Sequence, residues 1–128
     1  MASWETVCEI LRALPETELA EPAWRFNGKV LARNHPRLRV PDEAERRAEY
    51  GELAAIRVYD RAERDALVRQ QPSVFFVTPH WESSLSVLVR LAEVSDEQLA
   101  EVIIDAWLSL APKHLSDRWQ CRPNTGNR

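Results

Sequence analysis

Glycine is scarce in this chain, with 3 in 128 residues at Gly28, Gly51 and Gly126. None stands in a P-loop or G-x-G-x-x-G arrangement, which excludes chemistry that depends on a glycine cradle for phosphates. Cysteine is scarcer still. Cys8 and Cys121 are far apart and belong to no C-x-x-C pair, so neither a secreted-type disulfide framework nor a thiolate metal site is expected, and a reducing cytoplasm fits best. Long apolar runs are missing: stretches such as Val74 to Val77 are too short to span a bilayer. The opening Met1-Ala2-Ser3-Trp4-Glu5 has neither the basic region nor the apolar segment of a signal, so no membrane partner is expected. Excess positive charge is also absent. Lys and Arg number 17 against 20 Asp and Glu, a net charge of -3, which removes the bulk attraction of a strong nonspecific polyanion binder.

What is present suits one globular domain, with 45% hydrophobic and 29% charged side chains. At this length folding hides roughly two-thirds of the unfolded chain's surface, enough for a core without staples. Trp4, Val7, Cys8, Leu11 and Leu14 follow one helical face, opened by Ser3 and stopped by Pro15. Ala23 to Asn27 and Lys29 to Asn34 flank Asn27-Gly28, a pair suited to the positive φ angles of a type I′ hairpin. His35 to Gly51 reads as a long connection with one short solvated helix in its charged part. Glu52 to Tyr59 is a third strand, and Asp60 with Glu63 opens a helix reaching Gln70. Val74 to Val77 and Ser86 to Leu91 form a second hairpin around a loop of turn formers. Ser95 with Gln98 caps a helix whose Leu99, Val102, Ile103, Ala106, Trp107 and Leu110 hold the clearest period in the chain. Pro112 interrupts it, and residues 120–128 read as a flexible tail after a domain of residues 1–119. Trp4, Leu11, Trp24, Phe26, Ile56, Phe76, Leu99, Ile103 and Trp107 are the expected core.

Charge is unevenly placed. Residues 25–39 hold Arg25, Lys29, Arg33, Arg37 and Arg39 with no acid, while residues 93–117 hold six acids against Lys113. Fifteen of the 17 bases are arginine, which favours planar contacts to phosphate or carboxylate and equally suits a GC-rich bacterial genome.

Phe75-Phe76-Val77-Thr78-Pro79-His80-Trp81, then Val87-Leu88-Val89-Arg90-Leu91, Asp105-Ala106-Trp107 and Ala111-Pro112-Lys113, follow one another in an order and spacing that resembles the MmcQ/YjbR family. Leu14-Pro15-Glu16 and Phe26-Asn27-Gly28-Lys29-Val30-Leu31-Ala32-Arg33 resemble its opening and first hairpin, so the likeness covers residues 4–115. It implies an α+β two-layer domain, an antiparallel sheet with helices packed on one face, related to the frataxin/CyaY-like fold and described as a double-wing DNA-binding motif. Two segments depart from the pattern: Pro15 to Trp24 is short, and Pro36 to Gly51 reads as an insertion between central strands.

A two-residue turn pairs Phe26 with Lys29 and Trp24 with Leu31 on one face. Strand alternation then puts Arg25, Arg57 and Arg90 together on an open sheet face, where planar guanidinium forks can grip phosphates or a small anionic ligand. The alternative is ordinary solvation with local ion pairs, which also blunts edge pairing. His80 and Trp81 sit at a hairpin tip, placed to hydrogen-bond and stack on a base. Otherwise Trp81 folds over the core edge while His80 or Thr78 satisfies loop backbone groups. No nucleophile elbow surrounds Ser83, Ser84 and His80, so no enzyme is expected. His35, His80 and His114 are too scattered for zinc, and Arg12 offsets Glu5 and Glu9 on the first helix, so no metal or other cofactor is expected. The sequence thus points to a cytoplasmic, non-enzymatic module. Its candidate DNA-binding residues are Arg25, Lys29, Arg33, Arg57, Arg90, His80 and Trp81; the alternative partner is an acidic protein or small anion.

Overall fold

The structure is a computed structural model and describes residues 2–120. Helix α1 (Trp4–Arg12) is followed by strands β1 (Thr17–Ala20), β2 (Ala23–Phe26) and β3 (Lys29–Asn34). Then come α2 (Glu43–Tyr50), β4 (Leu53–Arg57), α3 (Arg61–Gln70), β5 (Phe75–Phe76), a 3₁₀ turn (Pro79–Trp81), β6 (Ser86–Arg90), α4 (Asp96–Leu110) and α5 (Lys113–Gln120). The six strands form one antiparallel sheet in the order β1-β2-β3-β4-β6-β5. This is the α+β sheet-and-helix domain the sequence implies.

Local chemistry explains the helix starts. Ser3 and Thr6 form a reciprocal capping box on α1. The Asp60 carboxylate accepts the Glu63 amide at 2.8 Å, while the Glu63 side chain reaches one residue beyond its usual target and accepts the Tyr59 amide at 2.7 Å. Ser95 accepts the Gln98 amide at 3.1 Å, but the Gln98 side chain turns away to meet Gln71. Pro112 ends α4 and starts α5, its carbonyl accepting the Leu115 and Ser116 amides. The tail expected from residue 120 begins no earlier than the end of α5, and the rest of that stretch, 121–128, lies outside the described residues.

The main core lies between one sheet face and helices α1, α3, α4 and α5. Trp4, Leu11, Trp24, Phe26, Ile56, Phe75, Leu99, Ile103 and Trp107 are buried in it. Trp107 is fully enclosed, edge-on to Phe26 with centroids 6.2 Å apart, and its indole donates to the Pro15 carbonyl at 3.0 Å. Phe76 corrects the expected core list, because the alternation of β5 sends Phe75 into this core and leaves Phe76 half-buried on the other face. Cys8 is buried as a free thiol and accepts the Trp24 indole N–H at 3.3 Å.

Two further expectations are corrected. Residues 17–20 form an edge strand that pairs with β2, where the sequence suggested only a shortened link. The β2–β3 hairpin does turn at Asn27 (φ 51°) and Gly28 (φ 83°), as a type I′ turn requires. Yet its register shifts between Trp24 and Arg25, so Trp24 faces Ala32 instead of Leu31. The irregularity lets Leu31 and Ala32 both join the main core, as a bulge that sets two residues against one allows.

Candidate anion-binding face

Ladder partners share a face, so the pairing places each candidate residue. Arg25 stands between the core residues Trp24 and Phe26 and therefore points to the opposite side. Arg33 lies across from Ala55, and Arg57 is two residues further along β4; Ala55 belongs to a small cluster on this second face. Arg25, Arg33 and Arg57 thus occupy three neighbouring strands. Strand spacing sets Arg33 about 8 Å from each of the other two, measured between Cα atoms. Arg25 is exposed and the other two half-exposed. No ion pair or side-chain hydrogen bond holds any of the three among the described residues.

The remaining candidates do not join this triangle. Lys29 pairs with Phe26 and so faces the helix side. Arg90 shares the second face but pairs with Leu53, four residues from Arg57, a separation of about 13 Å along the strands. Its guanidinium is already engaged, lying 5.6 Å from the Tyr50 ring centroid and donating to the Ser73 carbonyl at 3.3 Å. The second face is also not open, which corrects the expectation of an open sheet face shared by Arg25, Arg57 and Arg90. Leu38, Leu53, Ala55 and Leu88 form a second buried cluster, with Val40, Tyr50, Phe76 and Trp81 packed around it. The 35–51 connection lies across the middle of the sheet.

The Thr78–Ser84 loop explains how that connection is held. The buried Thr78 hydroxyl donates to the Leu38 carbonyl at 3.1 Å, and the Trp81 indole donates to the Arg37 carbonyl at 2.6 Å. These are the backbone-satisfying and core-covering roles weighed against base stacking, and Trp81 performs the second. His80 is exposed and meets Trp81 edge-on at 5.8 Å. On the connection itself the Glu43 carboxyl accepts the Arg39 amide at 2.8 Å and the Arg47 guanidinium at 3.3 Å. The Arg39 amide first, and Arg47 with it, hold that carboxyl below the usual glutamate range.

Arg64 is a residue the sequence reading missed. It is 5% exposed, and one of its terminal nitrogens donates to the carbonyls of Glu82 at 2.6 Å and Ser84 at 3.0 Å, while its Nε lies 3.1 Å from Asp65. It ties α3 to the loop that carries Trp81. The only sequence signal for it is a cationic residue one position past a capping box, which is usually a solvated helix face.

A small α+β domain with a cationic corner on the less covered side of its sheet is the class these features define. The sequence is 41% identical over 120 residues to "Uncharacterized protein Rv2570" of Mycobacterium tuberculosis (strain ATCC 25618 / H37Rv), covering 90% of this chain and 93% of the relative. The same values relate it to "Uncharacterized protein Mb2600" of Mycobacterium bovis. The chain belongs to the family of these mycobacterial proteins. No family model matches it, and no solved structure does. Among the described residues no helix is long and apolar enough to cross a membrane, and no group of three or more His, Cys, Asp or Glu is placed to hold a metal ion.

Proposed function

We propose that the protein is a cytoplasmic, non-enzymatic DNA-binding module of the MmcQ/YjbR type that grips phosphates weakly and without strong sequence preference. The observation that carries this reading is the unpaired triangle of Arg25, Arg33 and Arg57. Some arginines elsewhere in the fold have carboxylate partners, Arg12 with Glu5, Arg47 with Glu43 and Arg64 with Asp65; what sets Arg25, Arg33 and Arg57 apart is that they stand together on neighbouring strands of one sheet face. Arg33 and Arg57 keep their full donor capacity for phosphate oxygens, while Arg25 has Glu18 as its ladder partner on the same face without forming an ion pair with it. The exposed Arg37 and Arg39 extend the basic charge into the adjoining connection. A second reading, an acidic protein or small anion as partner, draws on the compactness of the triangle, whose Cα atoms span roughly 10 Å across three strands.

Fluorescence anisotropy with labelled duplex DNA at low salt tests the proposal. The intact protein should bind in the nonspecific range, roughly 10⁻⁴ to 10⁻⁶ M near physiological salt and tighter below it. A combined R25Q, R33Q and R57Q variant should lose most of that affinity for every duplex alike, whereas R69Q with R118Q, on helices remote from this face, should not. Equal loss in both variants would leave only bulk charge as the cause and overturn the assignment. Absence of binding to any DNA would pass the lead to the acidic-partner reading.

A further inference from the structure

Between α2 and β5 the connection leaves a cleft of about 480 Å³, within the size range of small-molecule sites. One wall is the stripe Asp42, Arg46 and Tyr50, and the other is formed by Phe76, Val77 and Pro79. Arg46 and Tyr50 stand one turn apart on α2, and Asp42, the left-handed residue just before the helix, completes that wall. Because α2 buries none of its residues, the apolar wall stays half-exposed toward the gap. Tyr50 and Phe76 meet with ring centroids 4.5 Å apart and planes tilted by 36°, which gives the cleft an aromatic end.

Its charged end is free on both signs. Arg46 has no ion pair among the described residues. Asp42 occupies the N-cap of α2 yet makes no capping hydrogen bond, and its backbone is left-handed at φ 62°, ψ 37°. An aspartate there ordinarily turns its carboxylate back onto an amide of the first turn, so this one remains available to the cleft. His35 (φ 49°) and Arg39 (φ 56°) are left-handed as well. Neither of these two lines the cleft, but both lie in the connection that carries Asp42, where positive φ is costly for a non-glycine residue.

We propose that this cleft binds a small zwitterion with an apolar body, the chemical class of a free aromatic α-amino acid. Its carboxylate pairs with Arg46, its ammonium with Asp42, and its ring packs against Tyr50 and Phe76. The Arg46 amide bonds the Asp42 carbonyl at 3.0 Å, so the two side chains leave neighbouring points of the backbone and both line the cleft, which lets adjacent ammonium and carboxylate groups of one molecule meet them. A simple anion would meet Asp42 unfavourably, and a simple cation would meet Arg46 in the same way. The site is separate from the arginine triangle and does not depend on DNA binding.

The test is a titration of the full chain with L-phenylalanine, followed by backbone amide shifts in NMR, alongside phenylpropionate, which lacks the ammonium, and phenethylamine, which lacks the carboxylate. L-phenylalanine should saturate shifts confined to residues 40–50 and 76–79, and each one-charge analogue should bind at least about tenfold more weakly. R46Q should remove the advantage over phenethylamine and D42N the advantage over phenylpropionate, with circular dichroism unchanged in both. No saturable shift by about 10 mM, shifts elsewhere, equal binding of either analogue, or unaltered affinity in both variants would each overturn the proposal.

Discussion

Replacing Arg64 by Met probes the link between α3 and the loop that holds the connection over the second face. The substitution keeps most of the aliphatic stem and removes the guanidinium from a site only 5% exposed. The Glu82 and Ser84 carbonyls lose donors at 2.6 and 3.0 Å. Hydrogen bonds from a charged donor contribute about 1.5–3 kcal/mol each, so two of them set a gross loss of roughly 3–6 kcal/mol. Relief from burying a charge offsets part of this, and the Asp65 contact adds little because that carboxylate is 56% exposed. The expected net loss is therefore about 2–3 kcal/mol. For a domain of this size that lowers Tm by roughly 10 °C in a thermal melt. Trp81 fluorescence should also change, because the loop that positions it loses its tie. A shift under about 2 °C would refute the reasoning and show that these carbonyls are as well satisfied by water.

Truncating Trp107 to Ala should cost about 3–5 kcal/mol in chemical denaturation, since the fully buried ring also loses its bond to Pro15; a cost below 1 kcal/mol would contradict the core assignment. Trp81→Phe removes the donor to the Arg37 carbonyl together with part of the ring packed on the second cluster, and amide hydrogen exchange should quicken across residues 36–41 while the main core keeps its protection. Asp105 is pushed above the ordinary aspartate range by burial first and then by Glu63 and Glu101. The folded state therefore holds its proton more tightly than the unfolded state, and stability falls as pH rises through the window between the two pKa values. D105N should raise Tm near pH 7 and lose that advantage below about pH 3; the same advantage at both would exclude the titration.

Elements governed by local signals were legible in the sequence. Ser95, the apolar period and Pro112 bound α4, and Asn27-Gly28 sets the β2–β3 turn, because caps and positive φ angles act over a few residues. Strand β1 was not legible, since Thr17-Glu18-Leu19-Ala20 has only one half-buried position and so carries no apolar alternation. The choice between Phe75 and Phe76 was ambiguous for the opposite reason: neighbours equally apolar give no parity. The second cluster draws single residues, Leu38, Val40 and Tyr50, from a charged stretch that reads as solvated. At the candidate site, alternation correctly grouped Arg25 and Arg57 on one side. It could not show that the connection covers the sheet between them and Arg90, which depends on long-range bonds from Thr78 and Trp81.

The salt dependence of DNA binding tests the central claim most directly. Each phosphate contact releases condensed counterions, so the plot of log affinity against log salt steepens by about 0.9 per contact on duplex DNA. If Arg25, Arg33 and Arg57 make those contacts, replacing any one by Gln should flatten the slope by about one, and replacing all three by roughly two to three. A slope that stays unchanged in the triple variant, or an intact protein that binds no DNA at low salt, would contradict the account.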